Sequence, residues 1–318
     1  MAQADPPTST DREVRALRFS MFGYLGMGVI GGTFALLTGS EAILLDGAYS
    51  TLNFLAAIAA SRVARLLARP ADDAFPIGYV YFEPAVNTIR GLFILGICLF
   101  AFFSALNALL HGGRALSPGL GVAYGVLSAV LCVLMALNQR RLAKRHASPL
   151  LDVDARNWFV DGIFSAVVAV AFIAAFILSR TSAAHLVVYV DPVLVIVLVL
   201  AMLRIPLGTI WQNVREILAF GPPPELRAIV RERVEKALED VKAREIHIRS
   251  LKVGRTFYVL THVLLPEDRV LGTAADLDAM RRKVAAAFTD AEYRIVTETI
   301  FTTDEQWLHS LDHRLMGA

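Results

Sequence analysis

The chain has 318 residues, of which 56% are hydrophobic and only 19% charged. An ordinary soluble domain carries roughly 25% charged residues, and the shortfall points to a membrane protein. The formal net charge of +2 is too small to imply a nucleic-acid partner.

In chain order, the segment 1–10 is polar and holds Asp5 and two prolines. It lacks the basic, apolar, small-residue order of a cleaved secretory leader, so the first hydrophobic helix is expected to be retained. Apolar runs of about 20 residues, enough to cross a hydrocarbon core of ~30 Å, predict membrane spans at 19–37, 42–62, 84–110, 119–137, 157–178 and 186–204. Lys and Arg concentrate in the N-terminal arm (Arg12, Arg15, Arg18), the second loop (Arg62, Arg65, Arg69) and the fourth loop (Arg140, Arg141, Lys144, Arg145), whereas the odd loops carry Arg114 and Arg180. By the positive-inside rule both termini are expected in the cytoplasm, with the chain in the cell's inner membrane. Gly28 and Gly32 of the first span form a small-xxx-small pair suited to close helix packing. Arg90, near the cytoplasmic start of the third span, is expected to snorkel to the interface. Cys98 and Cys132 lie in apolar runs, as small buried hydrophobes would, and suggest neither a disulfide framework nor a zinc site.

After the sixth span Gly221 is followed by Pro222, Pro223 and Pro224, a helix-breaking boundary. The division expected is an N-terminal arm 1–18, a transmembrane domain 19–210 and a cytoplasmic domain 211–318. Within the last, periodicity predicts a helix at 226–241, strands at 245–253 and 256–265, a helix at 274–288 and a strand at 293–302, with Gly254 and Arg255 as a hairpin turn. That order suits a small α+β sandwich, two helices on one face of a three-stranded sheet.

An ionised Asp at the centre of a membrane helix costs on the order of 2.5–3.5 kcal/mol, so each needs a reason. Two are present, Asp46 in the second span and Asp161 in the fifth, each within Asp-Gly-x-aromatic-Ser. Polar residues recur around them at helical spacing: Asp46, Ser50 and Asn53, four and seven apart, on one span, and Asn157, Asp161 and Ser165, four and eight apart, on the other. Each set therefore shares a helix face. If the faces meet, carboxylate, amide and hydroxyl oxygens converge on one cation. An all-oxygen donor set favours manganese, magnesium or iron(II), with zinc, cobalt and cadmium left open. The alternatives are helix–helix hydrogen bonding with protonated aspartates and an intramembrane aspartyl protease. Such proteases carry Gly-x-Gly before one aspartate, and here Asp161 follows Trp158, Phe159 and Val160.

These residues resemble those of the cation diffusion facilitators, a family of dimeric metal/proton antiporters. The resemblance rests on 42–53, on the loop run 69–79 with its Phe-Pro-Ile-Gly-Tyr and with Glu83 soon after, on 154–161, and on Val190-Asp191-Pro192. It implies a transport site at Asp46, Ser50, Asn157 and Asp161, a homodimer, and export of a divalent metal ion against protons, with no resident cofactor. It also implies a ferredoxin-like cytoplasmic domain after the six-helix bundle. Zinc-transporting members usually have His or Asp at the position of Ser50 and His at that of Asn157, which puts zinc selectivity in doubt here. Some relatives bind another ion in the second loop, but of those ligands only Asp72 matches, with Phe75 and Tyr79 at the histidine positions, so no metal is expected there. Asp73 and Glu83 are then expected to be solvated or paired with the loop arginines. In the cytoplasmic domain the resemblance points to His262, with His247 and Glu298 near two further ligand positions. His111, His146, His185, His309 and His313 fall in loops or the tail and are assigned no role. With no histidine in the transport site, proton coupling falls to Asp46 and Asp161. A sensor or scaffold of the same shape without turnover is the alternative function.

Overall fold

The computed structural model describes residues 9–146, 148–267, 273–289 and 294–308. The first eight residues, Tyr293, His309 and His313 lie outside them. The chain forms two compact units, one of residues up to Arg62 with Ile89–Ile210, the other of Val63–Thr88 with the residues from Trp211 onward.

Backbone in hydrocarbon must satisfy its own hydrogen bonds, and a helix does so within one segment. The long helices are α1 (Ser9–Thr38), α2 (Glu41–Leu67), α3 (Phe82–Leu110), α4 (Pro118–His146), α5 (Pro149–Leu178) and α6 (Val187–Met202), followed by α7 (Arg204–Ile217). Among the described residues six helical stretches are long and apolar enough to cross a membrane, the sixth running Ala184–Ile217 through α6 and α7. The helices overrun the apolar runs. The basic cluster expected in the fourth loop instead forms the end of α4, with Lys144, Arg145 and His146 in its last turn, where cations complement the helix dipole. Two residues later Ser148 caps α5, its hydroxyl accepting from the Leu151 N–H at 3.2 Å, with Pro149 at the first helical position.

The core of the first unit gathers Ile43, Leu45, Cys98, Tyr124, Phe172 and Val195 from α2 to α6. Both cysteines are buried free thiols. Close approach of α1 and α2 depends on missing side chains: a methyl group at Gly31 would lie 2.6 Å from Cα of Gly47, and one at Gly47 would lie 3.0 Å from Cα of Gly31. Gly28 also faces α2, at Thr51, whereas a methyl group at Gly32 would meet nothing within 4 Å. The working pair on α1 is thus Gly28 with Gly31, a correction to the expected Gly28 with Gly32.

Asp191 of α6 is fully buried and caps α2 from another helix. Its Oδ1 accepts from the Ser40 hydroxyl at 2.5 Å and the Ala42 N–H at 3.2 Å, and its Oδ2 from the Glu41 N–H at 3.0 Å. Arg114 then bridges Glu41 at 2.7 Å and Asp191 at 3.3 Å and donates to Ser104 at 3.1 Å.

In the second unit, α8 (Pro224–Ala237), β1 (Glu245–Val253), β2 (Thr256–Leu264), α9 (Ala274–Ala286) and β3 (Arg294–Thr302) follow in order, with α10 (Glu305–Leu308) last. The sheet order is β1-β2-β3, with β1 and β2 antiparallel and β2 and β3 parallel. Phe257, Val259 and Val263 of β2 pack with Val230 and Val234 of α8 and Val284 of α9, so both helices cover one face. Gly254 makes the hairpin turn at φ +55°. Its N–H donates to Glu216 at 2.8 Å, and Glu216 also accepts from Lys252 at 2.9 Å.

A methyl group added at Gly47 must push against backbone, and overpacking of that kind costs about 1–3 kcal/mol. Gly47→Ala is therefore expected to lower the apparent melting temperature of the detergent-solubilised protein. Gly26→Ala, where a methyl group meets nothing within 4 Å, is expected to leave it unchanged.

Candidate functional site

Asp46 is the polar centre of the first unit. Its Oδ2 accepts from the Tyr124 hydroxyl of α4 at 2.7 Å and from the Ser165 hydroxyl of α5 at 3.4 Å. Asp161 lines the same small cavity as Asp46, walled by Leu45, Tyr49, Phe164 and Leu198. About 20 Å³ of it is open to a water-sized occupant, room for one water or bare ion and not for a hydrated one. Among the described residues the Oδ2 of Asp161 is buried without a hydrogen-bond partner. An orphan carboxylate oxygen beside a second carboxylate in an apolar-walled cavity is a group that a cation can satisfy.

The other two expected site residues stand apart from this cavity. Ser50 is buried one turn along α2, and Asn157 is exposed one turn before Asp161 on α5; neither is among the residues that line it. Asn53, on the Asp46 face of α2, accepts from Arg90 Nη2 at 2.7 Å. Arg90 thus turns into the bundle, which corrects the expected snorkelling, and among the described residues its Nε is buried without a partner. Tyr124 and Arg90 carry polar functions that sequence pattern did not assign, since a lone Tyr or Arg in an apolar run has no partner until the helices pack. Asp154, seven residues before Asp161 and so on the same face of α5, also has a buried, unpartnered Oδ2 among the described residues. Next to it the indole N–H of Trp158 donates to Ser20 at 2.7 Å, and the ring stacks on Tyr24 with centroids 4.1 Å apart.

In the second unit, Asp72 is occupied by its own loop. It accepts from the Tyr79 hydroxyl at 2.6 Å, the Phe75 N–H at 2.9 Å and the Ala74 N–H at 3.1 Å. The Tyr79 bond, then the Phe75 N–H, holds its carboxyl below the usual carboxylate range. Asp73 is exposed. Glu83 pairs with Arg255 of the hairpin turn at 3.2 Å, a correction to the expected loop arginines. His247 and His262 lie directly opposite each other on β1 and β2, and Glu298 pairs with Leu260, two residues along. His262 is buried and its Nδ1–H donates to the Trp307 carbonyl at 2.9 Å. Among the described residues no group of three or more His, Cys, Asp or Glu is placed to hold a metal ion.

A family model described as the cation efflux transmembrane domain matches residues 17–218, more than half of the chain. The chain belongs to the cation-efflux family. This cation-efflux protein is 26% identical over 286 residues to the uncharacterized transporter sll1263 of Synechocystis, covering 89% of this chain and 88% of that one. It is 24% identical over 134 residues to the cation-efflux pump FieF of Salmonella arizonae and of Salmonella newport, covering 42% of this chain and 45% of the pump. Six membrane-length helices and this family match make it a multi-pass membrane transporter.

The Asp72 shift carries a pH prediction. A carboxylate whose folded value is depressed contributes stability above its unfolded value of about 3.9 and loses it as pH falls through the folded value. Hydrogen-exchange protection of the Ala74 and Phe75 amides is therefore expected to hold from about pH 7 to pH 5 and to fall below about pH 4. Tyr79→Phe should move that fall upward; protection independent of pH would contradict the assignment.

Proposed function

We propose that the protein is a divalent metal/proton antiporter that exports metal from the cytoplasm, with Asp46 and Asp161 as both ligands and proton carriers. The observation that supports this reading is that these two carboxylates, distant in sequence and carried on α2 and α5, line one small apolar-walled cavity. Carboxylate charge balances the ion, and the apolar walls offer no competing ligand. Tyr124 and Ser165 hold one oxygen of Asp46 in place, as outer partners of a metal ligand do. Ser50 and Asn157 complete the ligand set when the helices shift between inward- and outward-open forms. Neither brings imidazole, so this family member departs from the His-bearing zinc pattern, and the oxygen donors favour manganese, iron(II) or magnesium. When the ion leaves, the same oxygens take protons, and exchange follows because ion and proton favour different helix arrangements.

The proposal extends to a homodimer in the inner membrane with both termini cytoplasmic, the orientation supported by the Arg and Lys residues of the N-terminal arm and of the C-terminal ends of α2 and α4. It treats 1–18 as an arm, 19–210 as the transmembrane domain and 211–318 as a ferredoxin-like cytoplasmic domain, supported by the helix-strand-strand-helix-strand order after α7. His247, His262 and Glu298 are a regulatory metal site only if the sheet face carrying them rearranges.

The test is metal-dependent proton flux in proteoliposomes loaded with a pH dye, with manganese, iron(II), zinc, cobalt, cadmium and magnesium in turn. One or more ions should drive flux in the native protein, and Asp46→Asn or Asp161→Asn should reduce it to the level of empty liposomes. Full flux in either variant, or silence for all six ions with folded protein, defeats the proposal. Tyr124→Phe is expected to weaken metal affinity by about 10–100-fold, the usual cost of losing a ligand's outer partner, as read by calorimetry. Ser50→Ala is expected to be milder than either aspartate change.

A further inference from the structure

Arg90 lies about 12 Å along α3 from its start at Phe82 and turns inward, where its Nη2 donates to the Oδ1 of Asn53 on α2 at 2.7 Å. A charged side chain at membrane depth is costly and marks a functional position. Part of the cost stands unrelieved: among the described residues the Nε of Arg90 is buried without an acceptor, and its one hydrogen bond goes to a neutral amide. Asn53 shares the Asp46 face of α2, two turns along. The guanidinium is near enough to act electrostatically on Asp161 and on Tyr49, both of which line the cavity. Among the described groups whose charge reaches Asp161, Asp46 and Asp154 are carboxylates and Arg90 is the cation. The Oδ2 of Asp161 and the Nε of Arg90 are thus opposite charges, each buried and unpartnered, that make no bond to each other. Asn53 accepts the guanidinium where a carboxylate would otherwise do so, and the cation stands beside the cavity without closing it.

We propose that Arg90 is a built-in countercharge that sets how tightly the cavity of Asp46 and Asp161 holds a cation. The inference rests on the reading of that cavity as the transport site. With both carboxylates ionised the pair carries two negative charges, which a divalent ion cancels. Arg90 reduces the sum to one, so the same ion leaves the site with an excess positive charge. A guanidinium has donors and no acceptor. It is therefore no ligand, and its effect acts through space, in surroundings where charges are felt more strongly than in water. That effect depends on the charge of the ion and not on its ligand preference. It partly compensates the carboxylates when the ion has gone, and it weakens their hold on the ion, which favours release. An Arg90 that served only to join α3 to α2 through Asn53 would have no such influence on affinity.

The test is calorimetric titration of the full-length protein in neutral detergent with the six divalent ions of the flux assay in turn. Arg90→Gln keeps an amide donor for Asn53 and removes the charge. It is expected to bind every ion that the native protein binds about tenfold more tightly, the scale of removing one like charge from a site. Arg90→Lys retains the charge and is expected to bind much as the native protein does. Asp161→Asn is expected to abolish binding, which ties the signal to the cavity. Arg90→Met, unbranched and suited to an apolar span, replaces Arg90→Gln if that variant does not fold. Equal or weaker binding in the folded neutral variant, or the full gain in Arg90→Lys, overturns this inference; if Asp161→Asn still abolishes binding, the transport reading stands. Native protein that binds none of the six ions, or binding that survives Asp161→Asn, overturns both.

Discussion

A bilayer core offers no hydrogen-bond partner, so a polar side chain inside the bundle must bond its own helix backbone, bond another helix or remain unsatisfied. The placement of the membrane helices follows from how this is met. Asp191 takes the unpaired N–H groups at the start of α2, Asn53 takes Arg90, Ser20 takes the indole of Trp158, and Asp46 takes hydroxyls from α4 and α5. Each bond joins helices that the sequence separates, so polar pairing selects which helices are neighbours. Among the described residues Asp161, Asp154 and Arg90 depart from this pattern, each keeping a buried atom without a partner, and Asp161 does so beside the cavity it shares with Asp46.

The glycine that follows each aspartate has a packing role. Gly47 lets α1 approach at Gly31 until their backbones nearly touch, and a methyl group at Gly162 would lie 3.3 Å from Cβ of Cys132 on α4. In both Asp-Gly pairs the carboxylate faces the cavity while the glycine brings a neighbouring helix close beside it. Gly125 does the same for α4 against Ala169 of α5. Close helix contact leaves little space around the carboxylates, and in surroundings of low polarity electrostatic interactions are stronger.

In the second unit, acidic residues of the flanking helices grip the hairpin tip. Glu216 bonds Lys252 and the N–H of Gly254, and Glu83 bonds Arg255. Gly254 is needed twice, for its left-handed φ and because a methyl group there would lie 2.6 Å from Glu83 Oε2.

The membrane helices, the α+β order of the soluble region and the paired aspartates were legible in the sequence, because each depends on spacing along one chain: the length of an apolar run, the period of a strand or helix, the recurrence of Asp-Gly-x-aromatic-Ser. Helix ends were less legible, since hydrophobicity marks where lipid lies while hydrogen bonding carries α2, α4 and α5 past it into charged sequence. Partners were decided only by the tertiary structure. Spacing placed Ser50 and Asn157 beside the aspartates, yet packing brought Tyr124 and Ser165 to Asp46, turned Arg90 inward to Asn53 and exchanged Gly32 for Gly31 at the closest helix contact. Sequence determines which residues share a face; which faces meet depends on helix crossing angle and rotation, quantities set by contacts among distant segments.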